Sequence, residues 1–242
     1  SIAMASGSEA ARNVSQLVLL DSNFSSLPQV VMEGRRAINN TQRSASLYLV
    51  KTLYSTILAF LFLFATLPYP FVPIQMTLIG AVTVGIPSFF LALEPNGERV
   101  NKDFLYYLFR HSVPGALAIV FSVVCYMVVS LFLPLSQAEL STLAATTTGF
   151  IGFFVLFRVC QPFHKLRVLL FAGMFGIYIA AITFLGSLFQ YSPLSPRLLI
   201  VLLCICLFSS FVMFLLSRGI ENSYSKIRRV FNRDSFHQKE KV

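Results

Sequence analysis

The sequence predicts a membrane protein of the all-α class, with six transmembrane helices behind a short α/β segment. Hydrophobic residues make up 56% of the 242-residue chain and charged residues only 12%, and the mean hydropathy is +0.73. This apolar content exceeds what a soluble domain of this size carries. Because no soluble basic face remains, the net charge of +9 does not indicate nucleic-acid binding.

Two apolar tetrapeptides near the start of the chain predict the α/β segment. Residues 2–5 and 17–20 are typical of buried parallel strands. Between them, Ser6 and Glu9 fit a capping box that would open a short helix. A polar helix is expected to begin at about Leu27 and to lead towards the membrane. A strand–helix–strand unit of this size cannot bury both of its faces alone, so we expect its partners to belong to a longer protein.

Six apolar stretches of roughly 20 residues follow, which is the length that an α-helix needs to cross a hydrocarbon core of ~30 Å. Backbone polar groups cannot stay unpaired in lipid, so these stretches are predicted to be helices. They cover about residues 47–67, 73–93, 112–134, 141–160, 166–187 and 197–217.

The distribution of Lys and Arg predicts the orientation of the chain. Basic and non-basic connections alternate: the first and third connections have no Lys or Arg, and the fifth has only Arg197. The basic groups are Arg35, Arg36 and Arg43 before the first span, Arg99, Lys102 and Arg110 in the second connection, Arg158, Lys165 and Arg167 in the fourth, and seven residues from Arg218 onward. Since basic connections remain cytosolic, we expect a multi-pass protein of the cell membrane with both termini in the cytosol.

Several segments resemble the P-type cation-transporting ATPases, in particular the bacterial calcium, magnesium or manganese type. Residues 2–12 (IAMASGSEAAR), 17–24 (LVLLDSNF) and 33–40 (EGRRAINN) resemble the end of the phosphorylation domain and the stalk before the fifth transmembrane helix of that family. Residues 73–87 (PIQMTLIGAVTVGIP), closing on 92–95 (ALEP), resemble its sixth helix. The other four spans match the family in number and orientation only.

The resemblance implies a C-terminal fragment with four parts. Residues 1–33 would be the last piece of a haloacid-dehalogenase-like phosphorylation domain, and 34–46 the stalk. Residues 47–217 would form the six-helix transmembrane domain, and 218–242 a basic cytosolic tail. Such a fragment would contribute ion-pathway helices, coupled to the phosphorylation domain of an ATP-driven cation pump.

The resemblance also implies what the rest of the pump would supply. ATP and Mg²⁺ would act in the N-terminal portion of the same pump, because neither Asp-Lys-Thr-Gly nor Gly-Asp-Gly-x-Asn-Asp occurs in this sequence. We therefore expect no catalytic or cofactor-binding residue in this chain, and no activity from the fragment alone. Its partners would be the lipid bilayer, a transported inorganic cation and that N-terminal portion. The alternative is a free-standing six-helix channel or carrier subunit, although the orphan α/β unit argues against it.

Three hydroxyl residues fall at the cation-ligand positions of the family: Thr52 and Ser55 in the first span, and Thr83 in the second. Hard cations require oxygen ligands, which hydroxyls and freed carbonyls provide. No Asp or Glu lies inside the six predicted spans, and Glu94 is at the cytosolic end of one. We therefore expect a single ion, or a substrate other than calcium, with any carboxylate supplied from outside this chain.

Three further residues in these two spans are singular. Pro87 cannot donate a hydrogen bond to the Thr83 carbonyl, and Gly85 loosens the same turn, so freed carbonyls could line a cavity there. An ordinary proline kink is the alternative. Lys51 lies roughly one turn inside its apolar stretch. It either extends to the cytosolic interface or faces the bundle interior as a built-in cation, and the sequence leaves both open.

Overall fold

The structure is a computed structural model that describes residues 1–65, 68–100 and 103–239. Thr66 and Leu67 at the end of the first predicted span, Asn101 and Lys102 of the second connection, and the last three residues of the basic tail lie outside the described residues.

The first 20 residues form the predicted strand–helix–strand unit. Strands β1 (Ile2–Met4) and β2 (Leu17–Leu19) pair in parallel, on either side of helix α1 (Glu9–Val14) in the sequence. The predicted cap was wrong, because Ser8 rather than Ser6 caps α1: its hydroxyl accepts from the Ala11 amide at 3.3 Å. Ser8 directly precedes the first helical residue, so its hydroxyl reaches the third amide of the helix.

A turn then leads into the polar helix. The Ser26 hydroxyl donates to Asp21 at 2.7 Å and the Asn23 amide donates to the same carboxyl group, which lowers the pKa of Asp21 from its ordinary value. Helix α2 (Leu27–Phe64) follows without interruption for 38 residues, or ~57 Å. One helix therefore includes both the proposed stalk, 34–46, and the first span.

Within the described residues, six helices are long and apolar enough to cross a membrane, which confirms the predicted number. After α2, the second span consists of α3 (Pro73–Gly80), a π-helical turn (Ala81–Gly85) and α4 (Ile86–Leu93); the others are α5 (Phe104–Phe132), α6 (Gln137–Val159), α7 (Lys165–Phe184) and α8 (Pro196–Lys239). The end of the bundle next to residues 34–46 is called the stalk end below, and the opposite end the far end.

Helix α6 is the central element of the bundle, because 78% of the residues in its most apolar stretch are buried against its neighbours. A capping box opens it at the far end: the Ser136 hydroxyl accepts from the Glu139 amide, and the Glu139 carboxylate accepts from the Ser136 amide. Large aromatic residues such as Phe64, Phe132 and Phe184 are more than 80% exposed on the outer surface. An outer surface of this kind suits contact with lipid chains rather than water.

Candidate ion site and its connection to the stalk

The π-helical turn interrupts the second span near its middle. There the Ile86 amide bonds to the Ala81 carbonyl five residues earlier, instead of one four residues earlier. Pro87 has no N–H, so neither Thr83 nor Val82 receives a bond from position 87. Such turns occur frequently at functional sites. The π-helical turn, Ala81–Gly85, overlaps the stretch between Thr83 and Pro87 where the sequence predicts an irregularity.

A small cavity of about 20 Å³ adjoins this turn, between the second span, α2 and α6. It has room for about one water-sized particle. Thr83 is 3% exposed, and its hydroxyl donates to the Ile79 carbonyl at 2.6 Å, which leaves the oxygen lone pairs free to accept. On the opposite side of the cavity, the Thr148 hydroxyl is buried and has no hydrogen-bond partner in the described part of the chain.

Two glycines allow the close approach that forms this cavity. A Cβ added to Gly152 would lie 3.1 Å from the Thr83 methyl group, so a side chain there would push α6 away from the π-helical turn. A Cβ added to Gly80 would lie 3.0 Å from the Lys51 amine. Gly80 is close to the middle of the 21-residue second span. The Lys51 amine therefore lies against Gly80 at the edge of the cavity, while Lys51 as a whole is exposed.

The structure brings only some of the predicted site residues to the same cavity. Thr83 and Lys51 line the cavity, whereas Thr52 and Ser55 are not among the lining residues. Thr52 is exposed, and its hydroxyl donates to the Tyr48 carbonyl at 3.1 Å; Ser55 is half-buried. Thr148 was not among the predicted ligands, although the run of three threonines at 146–148 was a signal for it.

Among the described residues that line the cavity there is no carboxylate. Within the described ranges, no three or more His, Cys, Asp and Glu side chains come together in a way that could hold a metal ion. The cavity therefore offers hydroxyl oxygens, backbone carbonyls and one ammonium group. The oxygens can coordinate a cation weakly, whereas the ammonium group would repel it, and none of these groups can neutralise a divalent ion.

A buried cluster of Arg43, Glu94 and Arg167 lies at the stalk end and joins α2, the end of α4 and the start of α7. The Arg167 guanidinium contacts the Glu94 carboxylate at 2.8, 2.8 and 2.9 Å, and Arg43 lies 3.5 Å from the same carboxylate. Arg167 is 4% exposed and Arg43 is 5% exposed. The sequence had suggested only that these arginines mark a cytosolic end, so this ionic cluster was missed.

Helix α2 has further polar bonds to the segment after α4. The Asn40 amide group donates to the carbonyls of Ala92 and Glu94, at 3.1 and 2.7 Å. Asn39 donates to the Glu98 carbonyl at 3.0 Å. Since all of these donors project from one continuous helix, α2 holds the end of the second span directly.

Comparison with known proteins identifies the relatives of the chain. No protein-family model matches it. It is 36% identical over 228 residues to the "Probable cation-transporting ATPase exp7" of Streptococcus pneumoniae, covering 90% of this chain and 29% of that protein. It is 37% identical over 212 residues to the "Calcium-transporting ATPase CtpE" of Mycolicibacterium smegmatis, covering 81% and 27%. A "Calcium-transporting ATPase" of Bacillus subtilis is 35% identical over 98 residues, covering 40% and 11%.

The chain thus spans a little more than a quarter of the length of the first two of these relatives. The shared region is their C-terminal membrane part, in agreement with the six apolar helices. These similarities, together with the architecture, show that the chain belongs to the family of P-type cation-transporting ATPases, as a C-terminal membrane region.

Proposed function

We propose that this chain supplies the ion-pathway helices of an ATP-driven cation pump, and that the cation binds in the cavity between Lys51, Thr83 and Thr148. The unpaired Thr148 hydroxyl is the observation that carries this proposal. A buried hydroxyl without a partner costs about 1–3 kcal/mol. The Thr148 hydroxyl of α6 lines the same cavity as Thr83, and Thr83 belongs to the π-helical turn near the middle of the second span. A cation or its bound water would satisfy this hydroxyl.

The first ion to test is Ca²⁺, because two of the relatives are named as calcium-transporting. Ca²⁺ takes six to eight oxygen ligands. The cavity offers fewer and has room for one ion only, so the remaining ligands, including any carboxylate, would come from outside these residues. Thr52 and Ser55 remain candidate ligands in this proposal. They would join the site if further helices covered the exposed side of α2.

Lys51 would act as a built-in cation. Its amine lies over Gly80, beside the cavity, so it and an incoming cation would repel one another. We propose that the amine leaves the cavity when the ion binds and returns when the ion departs. Pro87 would assist by leaving the π-helical turn one hydrogen bond short, and Gly85 by making the turn easier to deform.

Coupling to ATP would run through α2. In this proposal ATP and Mg²⁺ act in the N-terminal portion of the same pump, where phosphoryl transfer supplies the free energy. Residues 1–33 would complete the phosphorylation domain, 34–46 would form the stalk, 47–217 the transmembrane domain, and 218–242 a basic cytosolic tail. The alternation of basic and non-basic connections supports a cytosolic position for both termini.

The test uses the full-length protein that carries these residues, reconstituted in lipid vesicles, with Ca²⁺ and Mn²⁺ supplied separately. Thr148→Val should raise the cation concentration for half-maximal ATPase activity about fivefold, because a neutral hydrogen-bonding or coordinating group contributes about 1 kcal/mol. Phosphorylation by ATP should persist. The matched control is Thr183→Val, since that exposed hydroxyl bonds only to its own helix, at Ile179 and Ala180, among the described contacts.

Two results would count against the proposal. If Thr148→Val and Thr183→Val behave alike for each ion, the cavity is not the ion site. If the full-length protein moves cations without ATP, the channel or carrier alternative is correct. Lys51→Met provides a further arm, because loss of the ammonium charge beside the cavity removes its repulsion of the cation and should lower the cation concentration for half-maximal ATPase activity.

A further inference from the structure

A second cavity, of about 200 Å³, lies between α6 and α8 near the stalk end and faces the outer surface of the bundle. The polarity of its lining changes along the direction of the helices. Arg158, Ser217 and Arg218 lie towards the stalk end, together with Glu221. About one helical turn closer to the middle of the spans, its walls are mainly apolar: Phe154 of α6, and Met213 and Phe214 of α8. Ser210, one turn further along α8, donates its hydroxyl to the Cys206 carbonyl of the same helix. The groove thus has a polar upper part and an apolar lower part.

The polar part carries an excess of positive charge. Two arginines, Arg158 and Arg218, line it together with one carboxylate, Glu221. Arg110, which is not part of the lining, also pairs with that carboxylate, so the three arginines carry two more charges than Glu221 balances. The Glu221 carboxylate forms its closer ion pair with Arg110, at 2.7 Å, and lies 3.9 Å from Arg158. Arg158 also contacts the Ser217 hydroxyl.

Arg218 is the most available of the three. It is exposed, and its guanidinium lies over the Phe214 ring, 4.6 Å from the ring centre. Among the side chains that the structure describes, no carboxylate lies within ion-pair distance of it. Its N–H groups are therefore available to an anion from outside the described part of the chain.

We infer that this groove binds one anionic phospholipid, with its phosphate between Arg158 and Arg218 and an acyl chain against Phe154 and Phe214. A guanidinium pair matches phosphate oxygens in charge and geometry. Basic pockets between transmembrane helices bind anionic headgroups in this way. The apolar lower part is what distinguishes a lipid from free phosphate. This site does not depend on the transport mechanism proposed above.

As far as Lys239, the backbone of the chain's own tail does not occupy the groove. Helix α8 continues without a break to Lys239, so the backbone after Glu221 extends beyond the stalk end instead of folding back. The groove is therefore open to the lipid that surrounds the bundle.

The test is native mass spectrometry of the full-length protein in detergent, titrated with phosphatidylglycerol, with zwitterionic phosphatidylcholine or with inorganic phosphate. Phosphatidylglycerol should bind at least tenfold more tightly than phosphatidylcholine. Each basic group near an anionic headgroup contributes about 1 kcal/mol of binding free energy, or about fivefold in affinity. Arg218→Gln should therefore weaken phosphatidylglycerol binding about fivefold, and the double variant Arg158→Gln/Arg218→Gln about 25-fold. Arg197→Gln is the matched control, because it removes the same charge from an exposed position at the far end of α8.

Three outcomes would overturn the inference. Equal binding of the two lipids would mean that the groove does not select for a negatively charged headgroup. An equal loss in Arg197→Gln and Arg218→Gln would mean that only overall charge matters. Saturable binding of inorganic phosphate that displaces phosphatidylglycerol would make this a phosphate site without a lipid component. Because Arg218 is exposed, its variant should keep the unfolding temperature of the parent protein, and that measurement separates lost binding from lost folding.

Discussion

The buried cluster at the stalk end leads to a quantitative prediction for Glu94→Gln. This substitution removes the only carboxylate in contact with Arg167 among the described residues, and the main partner of Arg43. Breaking a buried ion pair by removing one partner destabilises a protein by about 3–5 kcal/mol, because the other charge stays buried. Gln keeps one acceptor oxygen, and Arg167 still donates to the carbonyls of Cys160 and Pro162. We therefore expect the lower end, about 3 kcal/mol.

A loss of this size is measurable as a shift of the unfolding midpoint. For a chain of this length, 1 kcal/mol corresponds to ~2–4 °C, so Glu94→Gln should lower the midpoint by about 6–12 °C. A fluorogenic thiol dye suits the assay, because Cys160 is fully buried beside the cluster and reacts only when the fold opens. Cys204 is exposed and contributes a constant baseline.

Two comparisons make the prediction strict. Glu33→Gln removes the same charge from the exposed pair with Arg36, where the N–O distance is 3.3 Å, and should cost less than about 0.5 kcal/mol. Glu94→Gln/Arg167→Met removes both partners, so it should cost clearly less than the sum of the two single variants. If Glu94→Gln shifts the midpoint no more than Glu33→Gln, the cluster does not hold the stalk end together.

Two further predictions concern packing and orientation. A Cβ on Gly149 would lie 2.1 Å from the buried Tyr178 hydroxyl, so Gly149→Ala should destabilise the bundle by about 1–3 kcal/mol. Gly173→Ala, where nothing lies within 4 Å, should be neutral or slightly stabilising in the same thermal assay. In intact cells, an impermeant maleimide should label Ser195→Cys but not Lys165→Cys, and the reverse pattern would contradict the proposed topology.

The sequence was sufficient for the fold, since lipid imposes strict rules on length and polarity. Each span needs about 20 apolar residues, and unpaired backbone groups are excluded, so six helices followed from hydropathy alone. The parallel strands at 2–4 and 17–19 also followed from their apolar runs. The extension of α8 to Lys239 was not predicted, because a charged segment can be helical or irregular with equal ease.

The candidate site was only partly predictable, because its contacts join residues far apart in the chain. Pro87 and Gly85 indicated an irregular helix, since a missing N–H is a local property. The position of the Lys51 amine depends on Gly80 in the next span, and no local pattern contains that contact. For the same reason, the burial of Arg167 could not be distinguished from an ordinary basic flank. A buried charge is recognised by its partner, and its partner Glu94 is 73 residues away.

Helix α2 connects the cavity with the buried cluster at the stalk end. It contacts both ends of the segment that runs from the π-helical turn to the end of α4. At one end the Lys51 amine packs over Gly80, and at the other Arg43 and Asn40 hold the residues around Glu94. These anchor points on α2 are about 8 to 11 residues, or ~12–17 Å, apart along one uninterrupted helix. A displacement of α2 must therefore move α4 or deform the turn between the anchors. Because Pro87 removes one hydrogen bond there, the turn is the part that yields most easily, and it is also where Thr83 meets the cavity.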